Sequence, residues 1–132
     1  MRRLKEETLG DIRLEYEDVQ EHGYLWLRVL GRYSPGFTLG AMGKCVAELR
    51  ELGYKKCLVD FRLAQHKMST LETYWRTQYA EEMNIPKYIR GAFVFTELTE
   101  ELRFGETVFF NRGWNFHVFD AIDAALDWLL DD

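Results

Sequence analysis

The sequence predicts an α/β domain with a mixed, mainly parallel sheet of about five strands, and three observations carry that expectation. Near the start, Ile12, Leu14 and Tyr16 alternate with Arg13, Glu15 and Glu17, a period of two that belongs to a strand with one buried and one wet face. From Gly31 onward, helix-period segments alternate with short apolar runs, the pattern of parallel strands joined by crossover helices. Finally, 132 residues that are 47% hydrophobic and 30% charged suit one core and one domain, residues 1–132, able to bury about two-thirds of its unfolded surface without staples.

In chain order, the first strand meets the turn Glu21-His22-Gly23 and returns as the aromatic strand Tyr24 to Leu30, so a β-hairpin opens the domain. Met42, Cys45, Val46 and Leu49 then repeat at helical spacing over about 37–52, and Gly53 is placed to end that helix in the left-handed conformation. Cys57 to Arg62 reads as a strand. Ser69-Thr70-Leu71-Glu72 has the form of a capping box opening a second helix that runs to about Asn84, where Ile85-Pro86 breaks it. Arg90 to Thr96 is a further strand, Thr99 opens a helix stopped by Asn111-Arg112-Gly113, and Trp114 to Phe119 is the last strand. Asp120 is placed to cap a final helix with the apolar stripe Ile122, Ala125, Leu126 and Leu129.

Right-handed crossovers between neighbouring strands put their helices on one face of the sheet and leave the other less covered. Alternation assigns Ile12, Leu14, Tyr16, Leu25, Leu27, Val29, Cys57, Val59, Phe61, Ala92, Val94, Phe116 and Val118 to the covered face. Trp26, Arg28, Phe93, Phe95 and Phe119 fall on the other, beside Asp60 and Arg62. A covering helix accounts for such aromatics; so does a protein interface, whose core favours aromatics interleaved with arginine, and a homodimer is one expectation for this face.

A formal charge of −5 offers no global attraction to phosphate backbones, so nucleic acid is not an expected partner. No apolar run reaches the length of a membrane span, and Met1 to Glu7 has no secretory character, so the expectation is a cytoplasmic protein. Cys45 and Cys57 have no paired spacing and read as free, buried thiols. His22, His66 and His117 fall in a turn, a loop and a strand without metal-ligand spacing, no phosphate-cradling glycine loop is present, and the nearby His66 and Ser69 lack an oxyanion-hole motif. The sequence thus predicts no enzyme, cofactor or metal site. Asp60, Glu97, Asp120 and Asp123 lie at or just beyond the carboxyl ends of strands, where open α/β sheets place ligands. Tyr74, Trp75 and Tyr79 share a helical spacing with Leu71 that suits a core stripe.

The order and spacing of Leu58-Val59-Asp60-Phe61-Arg62, Gly91-Ala92-Phe93-Val94, Asn111-Arg112-Gly113-Trp114, Val118-Phe119 and Ala125 to Leu129 resembles the bacterial SpoIIAA-like group of STAS-type domains. The resemblance spans nearly the whole chain. It implies a single domain with a hairpin start, a mixed sheet and alternating helices, related to anti-sigma-factor antagonists. In those antagonists the serine of an Asp-Ser-Ser-Gly motif at the start of the second helix is phosphorylated, and that surface docks a partner kinase. The matching segment here is Met68-Ser69-Thr70-Leu71, with Ser69 at the phosphoacceptor position and the Asp and Gly of the motif absent. Phosphate at a helix start meets free amides and a favourable dipole, while an unmodified Ser69 is a good N-cap. The resemblance therefore implies a non-catalytic protein-interaction or regulatory module acting through the rim of Asp60, Arg62, Ser69 and Thr70. The alternative is a small-molecule or lipid-binding domain with an apolar pocket between helices and sheet, drawn from the aromatic content and the likeness of STAS-type domains to lipid-carrier folds.

Overall fold

The computed structural model describes residues 3–9, 12–32, 35–65 and 85–131. The predicted second helix, its capping box and the stripe of Tyr74, Trp75 and Tyr79 lie outside the described residues. The described elements are β1 (Arg3–Leu9), β2 (Ile12–Val19), β3 (Tyr24–Arg32), α1 (Pro35–Leu52), β4 (Lys56–Gln65), β5 (Arg90–Val94), α2 (Glu100–Asn111), β6 (Asn115–Phe119) and α3 (Ile122–Leu129). Six strands form one sheet in the order β1-β2-β3-β4-β5-β6, antiparallel through β1, β2 and β3 and parallel from β3 to β6. The architecture is the mixed, mainly parallel α/β sheet that the sequence predicts, with one strand more.

The added strand is β1, and its side chains explain why periodicity does not reveal it. On the face toward α1 it carries Lys5 and Glu7, which pair with Glu48 and with Lys44 (Nζ to Oε2 2.6 Å), and the Tyr16 hydroxyl donates to Glu7 at 3.0 Å. Ion pairs stand where an edge strand would otherwise show apolar alternation, and such charges also discourage edge-to-edge association. Burial and the Glu7 carboxylate together hold the Tyr16 phenol far above its ordinary range.

Two apolar layers lie on opposite faces of the sheet. The first holds Ile12, Leu14, Tyr16, Leu25, Leu27, Val29, Cys57, Val59 and Phe61, packed against Cys45 and Leu49 of α1, Phe109 of α2, and Trp114. Both cysteines are free and buried there. The second holds Val19, Tyr24, Leu58, Ala92 and Val94 beneath Ala125 and Leu129 of α3. Alternation assigned β5 to the wrong faces. Val59 aligns with Phe93 and Phe93 with Val118, so Phe93 and Phe95 join the first layer, where Phe61 and Phe95 stack at 5.0 Å, and Ala92 and Val94 belong to the second. A central parallel strand is apolar on both sides, so hydrophobicity alone does not fix its phase.

The helix ends follow local chemistry. Gly53 (φ 75°) receives α1 with its N–H and that of Tyr54 on the Leu49 carbonyl, and Gly113 (φ 94°) ends α2 in the same left-handed conformation. Thr99 caps α2 by accepting from the Leu102 N–H at 3.2 Å. The expected cap at Asp120 is corrected: α3 has Ala121 at its N-cap position with no side-chain bond, because the helix starts one residue later than the Asp120 reading requires. The far end of α3 is held by Arg90, which donates to the carbonyls of Trp128 (2.5 Å) and Asp131 (2.6 Å) and stacks on the Trp128 ring at 4.5 Å, placing a cation at the negative end of the helix.

Candidate functional site

Asp60 and Arg62 stand in the middle of β4, where β5 ends at Val94 opposite Asp60 and the pairing with β3 slips between Arg28 and Leu30. Upstream of the slip Arg28 aligns with Asp60; downstream Leu30 aligns with Leu63. The irregularity puts one more residue into β4 than into β3 and re-aims the side chains around it. Arg62 donates from Nε to Asp60 Oδ1 at 3.0 Å and from Nη2 to Oδ2 at 2.9 Å, and its backbone N–H reaches Oδ1 at 3.0 Å. The carboxylate is shielded, with 7% of the side chain exposed, while the guanidinium remains 42% exposed.

Burial pushes the Asp60 carboxyl upward, but the Arg62 side-chain and backbone hydrogen bonds and its positive charge outweigh that push and hold the carboxyl below its ordinary range. The nearby Trp26 indole adds to the downward pull, although its shielded Nε1 makes no hydrogen bond of normal geometry. Arg28 lies 4.4 Å over the Trp26 ring and donates from Nη2 to Glu17 Oε1 at 2.8 Å. The patch is therefore two arginine–carboxylate pairs on neighbouring strands, with the carboxylates inward and the guanidinium groups outward. Such a surface can donate hydrogen bonds to carbonyl or carboxylate oxygens of a bound chain. Asp60, already ionised and doubly bonded, is a poor proton acceptor at neutral pH.

Of the residues predicted for the rim, Asp60 and Arg62 come together as expected, and Ser69 and Thr70 lie outside the described residues. Of those predicted for the interface face, Trp26 and Arg28 lie beside the rim. Phe119 and Trp26 are partly buried and pack against the layer under α3. Phe93 and Phe95 belong to the opposite face and are removed from the candidate interface. Two participants escaped the sequence reading. Glu17 could have been found from the antiparallel pairing that puts β2 carboxylates opposite β3. Leu63, 67% exposed beside Arg62, carries no warning in the sequence because the irregularity in β4 exposes it.

Among the described residues no three His, Cys, Asp or Glu side chains gather as a metal site, and no helix is long and apolar enough to cross a membrane. Where α1 and α2 meet the sheet, the space holds Cys45, Leu49, Phe61, Phe109 and Phe116 packed together.

Three antiparallel strands leading into a consecutive run of parallel strands, with α1 and α2 over one face and α3 over the other, make a fold that matches a SpoIIAA-like fold. The chain is similar over 95% of its length to the whole of an anti-sigma factor antagonist from Mycobacterium paratuberculosis (TM-score 0.61, 17% identity). Over 93% of its length it is similar to 97% of an uncharacterized DUF3478-family protein with a SpoIIAA-like fold from Shewanella loihica PV-4 (TM-score 0.57, 18% identity). No protein-family model matches the sequence, and no curated protein matches it.

Proposed function

We propose that this chain is a non-catalytic regulatory module that docks a protein partner through the rim formed by Asp60, Arg62, Ser69 and Thr70. The observation that carries this reading is the Asp60–Arg62 pair, which holds a guanidinium outward just beyond the level at which the neighbouring parallel strand β5 ends, the side of the sheet at which open α/β sheets bind ligands. The fold shared with an anti-sigma factor antagonist supports it. In this reading Arg62 and the adjacent Leu63 contact the partner and Asp60 orients Arg62.

Two substitutions at Ser69 test whether it serves only as the helix cap that its sequence predicts. Ser69→Ala is expected to cost about 0.5–2 kcal/mol, and Ser69→Asp, another good capping residue, to restore most of it. Thermal melts read the stability, and recovery of the partner from a lysate of the source cells reads the docking, which both variants should retain. A Ser69→Asp protein that melts like the wild type but loses a partner kept by Ser69→Ala would instead make Ser69 a charge-sensitive switch.

A further inference from the structure

Among the described residues, a group of exposed acids lies at one end of the parallel strands and a group of basic residues at the other. Glu97, Glu100, Glu101, Asp120 and Asp123 follow β5 and β6 at their carboxyl ends, and none forms an ion pair among the described residues. At the other end, Lys55 and Lys56 lead into β4, Lys87 and Arg90 into β5, and Arg112 into β6. The acidic residues at that end include Glu21 in the β2–β3 turn, Glu51 in the last turn of α1, and Asp127 and Asp131 at the end of α3; Asp18 is already bonded to the Tyr54 hydroxyl at 2.7 Å.

The two exposed lysines there are held by rings rather than by acids. Lys55 Nζ lies 5.6 Å from the centre of the Tyr88 ring and Lys87 Nζ 4.6 Å from that of Trp114, and neither forms an ion pair among the described residues. They belong to one surface: the Arg90 N–H donates to the Lys55 carbonyl at 2.8 Å, and the Lys87 stem passes beside Gly113, where an added Cβ would meet it at 3.4 Å. Tyr88 is 61% exposed between them. Ammonium groups positioned over aromatic faces keep their charge unneutralised and lose less freedom when an anion arrives than free lysines do.

We infer that this end, remote from the Asp60–Arg62 rim, is a second docking site whose occupant is an acidic protein segment. Charge complementarity favours a carboxylate-bearing segment that touches this end alone. A long polyanion would also meet the field of a chain whose formal charge is −5. The lysines supply the attraction, and the open Tyr88 ring offers apolar contact.

The test is fluorescence anisotropy of a short fluorescein-labelled oligoglutamate titrated with the full chain at low ionic strength. The expected result is saturable binding that added salt weakens and that Lys55→Glu with Lys87→Glu weakens at least about tenfold. Arg103→Glu, at an exposed position near the start of α2, should leave binding unchanged. Lys55→Gln with Lys87→Gln should weaken it in the same direction, with circular dichroism confirming that both double variants fold. Absence of saturable binding, equal weakening by Arg103→Glu, or oligothymidylate of matched charge binding more tightly than the peptide would each overturn the inference. Concentration-dependent self-association abolished by the Lys55/Lys87 variants would overturn it too, by making the occupant the acidic end of a second copy.

Discussion

Trp114→Ala is expected to destabilise the fold by about 3–5 kcal/mol, the cost of emptying a large aromatic site in a close-packed core. Trp114 is 1% exposed at the junction of α2 and β6. Its ring lies 5.8 Å from Phe109 and 6.5 Å from Phe116, and its Nε1 donates to the Ile85 carbonyl at 3.2 Å, tying the last strand to the segment that enters β5. The substitution removes these contacts and leaves a buried carbonyl without its donor. A loss of this size is a large share of the 5–15 kcal/mol that stabilises an ordinary domain. Urea unfolding at neutral pH measures it, and a loss under about 1 kcal/mol would mean that the cluster is looser than its geometry.

Arg62→Ala should cost about 1–2 kcal/mol at pH 7, less than removal of a partner from a fully buried ion pair because the guanidinium is half-exposed and screened. Its pH dependence is the sharper feature. In the wild type the Asp60 carboxyl is held below its unfolded value, so the stabilisation from Arg62 is present above about pH 4, the ordinary aspartate range, and is lost as pH falls through the folded value. Without Arg62 only burial acts strongly, the folded value moves above the unfolded one, and the charged carboxylate becomes a penalty that protonation relieves. The difference between wild type and variant should therefore be largest above about pH 5 and shrink on acidification toward pH 3. Paired urea curves across that range check it; a difference constant with pH would show that Asp60 does not depend on Arg62.

Elements whose neighbours are local were legible in the sequence, because their determinants are local too. The β2–β3 hairpin, the stops at Gly53 and Gly113 and the Thr99 cap each depend on a few adjacent residues. The Asp60–Arg62 pair was legible for the same reason, since two residues along one strand tend to share a side. What escaped depends on contacts distant in the chain. β1 is polar because its Lys5 and Glu7 pair with α1, more than thirty residues away. The phase of β5 is set by register with β4 and β6, since either choice buries apolar side chains. The clamp of Arg90 on the end of α3 joins residues about forty positions apart. Leu63 owes its exposure to a register slip that no residue in β4 announces.

The docking rim is tested most directly by Leu63→Glu, which changes the rim without touching the Asp60–Arg62 pair. Leu63 is 67% exposed, so the substitution should alter stability by no more than about 0.5 kcal/mol, as should Phe104→Glu at a 44% exposed position on α2. The measurement is the quantitative recovery of co-purifying proteins from a lysate of the source cells by wild type and the two variants, each confirmed folded by its melting temperature. A partner recovered by wild type and by Phe104→Glu but lost by Leu63→Glu is the predicted result. A partner retained by Leu63→Glu, or lost equally with Phe104→Glu, would contradict docking through the rim.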